Sequence, residues 1–134
     1  MTASHEQAHV EAVRQAIDAF NRADMDAMLA LAGDDFEYDW SRSLAPNRGI
    51  YKGPEGFMEF INEQWNMFDD FRLEVHEYIP RGQHVVVTAT VHGRGRQGIP
   101  VSANPAHVYT FENGRLVRIT LYQERDEALA AAVD

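Results

Sequence analysis

The chain has 134 residues, 45% of them hydrophobic and 25% charged, which is the balance of one soluble globular domain with a single core. Twelve basic against 21 acidic side chains leave a formal charge of −9, which repels phosphate backbones and anionic lipid, so neither nucleic acid nor a membrane is expected as a partner. Cysteine is absent, which excludes disulfides, zinc–thiolate and iron–sulfur sites and a thiol nucleophile. The stretch from Met1 to Val10 is polar and lacks the apolar segment of a secretory leader. No run approaches the roughly 18 apolar residues of a membrane span, and a cytoplasmic protein is expected.

In chain order, Ser4 and Gln7 have the spacing of a capping box, and Val10, Val13, Ile17 and Phe20 then recur at helical intervals. Asn21 to Asp24 breaks that period, and Asp24 is placed to cap a short second helix with Met25, Met28, Leu29 and Leu31, ended by Gly33-Asp34-Asp35. Phe36 to Trp40 alternates aromatic and acidic residues, which predicts a half-buried strand. Ser41 to Tyr51, with Pro46, Asn47 and Gly49, reads as a loop. Gly53-Pro54 opens a third helix whose apolar stripe is Phe57, Phe60, Ile61, Gln64, Trp65 and Phe68. Strands follow over Phe71 to Ile79, Val85 to Val91, Ala106 to Phe111 and Leu116 to Tyr122. Pro80 to Gln83 makes the first turn between them, Gly93 to Pro100 a Gly-rich connection, and Asn113-Gly114 a tight hairpin. Glu124 to Ala132 closes as a short helix. Helices ahead of hairpin-linked strands predict an α+β fold with an antiparallel sheet, in a single domain over residues 1–134.

Three segments match chemical motifs on paper. His5-Glu6-Gln7-Ala8-His9 has the H-E-x-x-H form of a zinc site, but it occupies the first helical turns and no third ligand follows, so solvated histidines on a helix face are expected. Gly93 to Gly98 has the G-x-G-x-x-G form of a dinucleotide loop, but Pro100 and the β-branched residues beside it forbid the helix that must follow. Asp34, Asp35, Glu37 and Asp39 crowd together like a cation site, yet turns and strand edges carry such residues anyway, and a solvated acidic edge is expected. No metal site and no cofactor is expected.

Several phrases resemble a known family. Ala12-Val13-Arg14 through Ala19-Phe20-Asn21-Arg22-Ala23-Asp24-Met25-Asp26-Ala27 is similar to the first helix and N-x-x-D-x-D turn of the nuclear transport factor 2-like superfamily. Tyr38 to Ser43, Tyr51 to Gly56, Ala106 to Phe111 with Asn113 to Val117, and Tyr122 to Leu129 resemble its SnoaL-like polyketide-cyclase branch. The likeness spans residues 8–131 and speaks to fold more than to activity, because the superfamily hosts isomerases, cyclases, dehydratases, epoxide hydrolases and non-enzymes. It implies a cone, a cystatin-like α+β barrel. A strongly curved antiparallel sheet wraps three N-terminal helices, a short C-terminal helix follows, and the open end holds an apolar pocket. It also implies a homodimer through the outer sheet face.

Alternation puts His107, Tyr109 and Phe111 on one face of their strand. The position matching His107 holds an acidic oxyanion donor in the ketosteroid isomerase branch, which makes His107 the first catalytic candidate. The isomerase's general base falls on Trp40, one residue from Asp39, so either that base is missing or a local register shift turns Asp39 inward. The isomerase's catalytic Tyr matches Ala16. The polar positions of the epoxide hydrolases match Thr88, Thr90 and Thr120, which argues against that chemistry. The expected catalytic set is therefore His107, Asp39 and Tyr38, with Trp40, Tyr109, Phe20, Trp65 and Phe111 as the walls against a small apolar partner. Two functions follow. One is a cofactor-free cyclase or isomerase moving a proton beside a carbonyl of a polyketide- or steroid-like compound. The other is a non-catalytic, homodimeric domain that binds such a molecule.

Overall fold

A computed structural model describes residues 2–43 and 48–133. Two helices, α1 (Thr2–Asn21) and α2 (Met25–Leu31), lead into strand β1 (Ala32–Asp39). Strand β2 (Ile50–Lys52) precedes helix α3 (Gly53–Met67). Strands β3 (Asp69–Arg81), β4 (His84–Arg94), β5 (Pro100–Ala103), β6 (Ala106–Glu112) and β7 (Arg115–Tyr122) follow, and helix α4 (Arg125–Ala131) ends the order. Local chemistry accounts for several boundaries. The Ala27 amide donates to Asp24 Oδ1 at 3.1 Å, so Asp24 caps α2. Pro54 lies in the first turn of α3, where no backbone N–H is needed. Asn113 and Gly114 both have positive φ, 52° and 79°, the pair that a tight twisted hairpin between β6 and β7 requires.

Other boundaries depart from the sequence pattern. α1 starts at Thr2, two residues ahead of Ser4, so Ser4 is not its cap. β1 starts at Ala32, so the Gly33-Asp34-Asp35 segment belongs to the strand and does not end the helix. β3 continues through Pro80 and Arg81, because it is an edge strand, where a missing N–H is tolerated. The short strands β2 and β5 lie in segments too brief and too Gly- and Pro-rich to show alternation. Of the 41–51 loop, Pro46 and Asn47 lie outside the described residues.

The strand order is β2-β1-β7-β6-β4-β3, with β5 also paired to β4. The pairs within the run β3 to β7 are antiparallel, as is β1 with β2. β1 against β7 is parallel, which corrects the wholly antiparallel expectation. Periodicity reports which way side chains alternate, not the direction of a partner most of the chain away.

The inner face of the sheet packs on α1, α2 and α3 through Val13, Ile17, Met28, Phe57, Phe60 and Ile61, all buried. Val86, Val108 and Ala106 face the other way, under Ala128 and Ala132 of the C-terminal segment. Gly93 marks a close approach. A Cβ there would lie 3.3 Å from Phe68 Cβ and 3.3 Å from Phe71 Cδ2.

The H-E-x-x-H segment is a clasp. Glu6 Oε2 accepts from the Gly82 amide at 3.1 Å, and His9 Nδ1 lies 3.3 Å from the Gly82 carbonyl oxygen. The His9 ring stacks on Phe111 at 4.4 Å, so this histidine is not merely solvated. Gly93 to Gly98 runs from the end of β4 through the turn before β5, with positive φ at Gln97 and Gly98 and no long helix after it. No group of three His, Cys, Asp or Glu is close enough to hold a metal among the described residues.

Candidate active site

Phe36, Tyr38 and Trp40 alternate onto the inner face, as do His107 and Tyr109 on β6 and Ile119 and Leu121 on β7. Ile119 is the register partner of both Tyr38 and Tyr109, and Leu121 is that of His107. β1 and β6 thus flank β7, and the curved sheet brings their inner side chains together. The Tyr38 hydroxyl reaches His107 Nε2 at 3.2 Å.

These residues line a cavity of about 310 Å³, at the small end of the range for ligand sites. Phe57, Phe60 and Ile61 of α3 form one wall, Ile17 and Phe20 of α1 another, and Met67 and Val101, both exposed, lie at the rim. Phe60 anchors the aromatic wall. Its ring centroid is 4.6 Å from Tyr38, 4.7 Å from Trp40 and 5.2 Å from Tyr51. Among the described residues, no charged side chain lines the cavity.

Charge-free walls decide the electrostatics. His107 is 5% exposed, and burial alone lowers its pKa from 6.5 to about 4, so the imidazole is neutral at pH 7. Burial pushes the Tyr38 phenol well above its ordinary value, and Tyr109 beside it adds to the shift. Tyr109 is raised by burial and then by Tyr78. Both phenols therefore keep their protons at neutral pH.

Not every expected residue reaches the cavity. Asp39 faces away from it. Its Oδ1 accepts from the Ser41 amide at 3.1 Å and the Ser41 hydroxyl at 2.6 Å, and Oδ2 is 4.0 Å from Arg42. No register shift turns Asp39 inward, since the bulge in the β1–β7 pairing lies between Ala32 and Glu37. Phe111 is on the inner face, but α1 covers the sheet there and His9 stacks on the ring, so it belongs to the core. Trp65 packs beside Phe20 at 6.4 Å, outside the cavity lining, while Phe20 lines it. Thr88 and Thr90 engage Glu77 and Asn104 on the outer face, and Thr120 shares that side of the sheet with Val108.

Four polar residues of the cavity escaped the sequence reading, Ser102 of β5 among them. Ser43 is buried at its edge. Gln123 lines it and donates from Nε2 to the Arg42 carbonyl at 2.8 Å. Gln64 is 1% exposed, and its Nε2 has no hydrogen-bond partner among the described residues. Its one sequence signal was an amide in the middle of an apolar helical stripe.

Residues 13–119 match the family model of the SnoaL-like domain. The chain belongs to that family. Its fold recurs in solved structures. A nuclear transport factor 2-like protein of unknown function from Burkholderia pseudomallei is 25% identical, with a TM-score of 0.78 over 95% of this chain and 98% of that one. TerC, co-crystallised with polyporic acid, is 21% identical, with a TM-score of 0.78 over 93% and 97%. A candidate polyketide cyclase from Xanthomonas campestris pv. campestris is 22% identical, with a TM-score of 0.77 over 97% and 99%. No curated protein sequence matches the chain.

Proposed function

We propose that this SnoaL-like protein binds a small, flat, apolar carbonyl compound and moves a proton at the carbon beside that carbonyl, without a cofactor. The observation that carries the reading is the 3.2 Å contact of Tyr38 with His107 inside a largely apolar cavity whose lining, among the described residues, holds no charged side chain. With the proton on Nε2, the imidazole donates to the Tyr38 oxygen. The Tyr38 O–H is then free for the carbonyl oxygen, and the Nδ1 lone pair is free to accept a proton. His107 takes the proton from the carbon, the electron pair passes to the carbonyl oxygen, and Tyr38 steadies the resulting enolate. Return of the proton to carbon completes a tautomerisation; in a ring closure the enolate carbon instead bonds to a second carbonyl carbon of the same molecule, and the proton held by His107 goes to the alkoxide oxygen so formed. A base as weak as His107 suffices where the oxyanion is held in a dry, pre-formed site, as carboxylate bases of similar strength do. Because burial holds the His107 pKa near 4, the base is available throughout the neutral range. The likeness in fold to TerC and to the candidate cyclase supports an organic small molecule as occupant.

Deuterium exchange at the α-carbon of 1-tetralone, followed by NMR in D2O, tests this. Exchange above the buffer rate is expected, with His107→Ala abolishing it and Tyr38→Phe lowering it about 100-fold or more. Exchange at the buffer rate, with tetralone still quenching Trp40 fluorescence, would instead establish binding alone. That second reading is favoured by one observation, the lack of any carboxylate in the cavity lining among the described residues.

A further inference from the structure

Gln64 is the one buried side-chain polar atom left without a partner among the described residues. It lies in the cavity lining, on the face of α3 that also presents Phe57, Phe60 and Ile61. Buried polar atoms are nearly always hydrogen-bonded, and an orphan weakens the protein that carries it. An apolar residue of Gln64's size would satisfy the packing at no such cost. The position therefore makes sense when something inside the cavity completes the amide.

The fold says where that second contact lies. Tyr38 packs on Phe60 at 4.6 Å, and Gln64 follows Phe60 by one helical turn, about 6 Å along the axis. Beyond it come Met67 and Phe68, where the cavity meets its exposed rim. Gln64 thus stands between the rim and the Tyr38–His107 pair, separated from that pair by an aromatic ring.

We infer that Gln64 is a specificity residue, and that the ligand is a flat molecule with two separated oxygens, one at Tyr38–His107 and a second, nearer the rim, at the Gln64 amide. This deepens the function proposed above and rests on it. The class is a diketone, quinone or hydroxyketone of fused rings. A hydrocarbon or a monoketone leaves the amide unpaired and binds more weakly. If the amide presents its oxygen, the partner is a hydroxyl rather than a carbonyl, and the two-oxygen requirement is unchanged.

The test compares 1,4-naphthoquinone with 1-tetralone, two probes of similar size that carry two oxygens and one. Binding is read by quenching of Trp40 fluorescence, with the His107→Ala variant as a site control. The native protein is expected to hold the quinone about tenfold more tightly than the monoketone. Gln64→Met should erase that preference by weakening the quinone about tenfold relative to tetralone, and raise the melting temperature, because an orphaned amide has been removed. A residue with only a packing role would lower the melting temperature and weaken both probes alike. Gln64→Leu repeats the measurement should the Met variant fail to fold. An unchanged preference in a folded Gln64 variant overturns the assignment of Gln64 alone. Failure of both probes to bind the native protein, or binding that His107→Ala leaves untouched, overturns the cavity reading beneath it.

Discussion

The two faces of the sheet treat the same side chain in opposite ways. On the inner face His107 sits among apolar walls and a phenol, with no charged side chain in the lining among the described residues, and burial keeps it neutral. On the outer face His92 meets Glu74 at 2.9 Å, and His76 meets Thr90 at 2.6 Å, both in reach of water. There the hydrogen bond from His92 draws the Glu74 carboxyl below its usual range, as those from Arg125 and Thr88 do for Glu77. An imidazole is thus the hydrogen-bond partner of a carboxylate on one side of a single β-layer and a buried, uncharged ring on the other. The difference comes from solvent, not from residue type.

That contrast can be broken most forcefully from the inside. Phe60→Ala removes the ring that Tyr38, Trp40 and Tyr51 share, and should cost about 3–5 kcal/mol in urea unfolding. A loss below about 1 kcal/mol would mean that the walls are held by something else.

Acid should sharpen it next. The His107 pKa is about 4 folded, against about 6.5 unfolded, so between those values the unfolded chain binds the extra proton. Stability from this group is complete above about pH 6.5 and is lost as the pH falls towards 4, by about 3 kcal/mol in all. Subtracting the pH profile of His107→Phe from that of the native protein isolates the effect. A flat difference over that window would place the imidazole in water.

The smallest change is expected outside. Glu77 and Arg125 pair at 2.9 Å but are nearly half exposed, so Glu77→Ala should leave the melting temperature within scatter. A clear drop would show that the outer face is held as tightly as the inner one.

Much of this organisation could be read from residue order. Asp24, Pro54 and Asn113-Gly114 announce element boundaries through their own backbone chemistry, and alternation correctly paired Tyr38 with Trp40 and His107 with Tyr109. What escaped depends on partners distant in sequence. The parallel docking of β1 on β7 is one case. The division of inner-face residues between cavity and core is another. Alternation sets Phe111 beside His107, but only the path of α1 reveals that one ring is covered while the other lines a hollow. Gln64 was visible as a buried helical position, and its lack of a partner emerged only once its neighbours were in place.

Gly93 has a consequence for the size of the cavity it lines. Phe68 and Phe71 stand against a strand residue with nothing beyond its Cα, so their placement depends on a missing methyl. Alanine at that position would oblige the Phe68 and Phe71 side chains to shift by a few tenths of an ångström, resizing the chamber where they line it. The size of the cavity is thereby set at a position outside the Tyr38–His107 contact, and by the smallest substitution a protein can undergo.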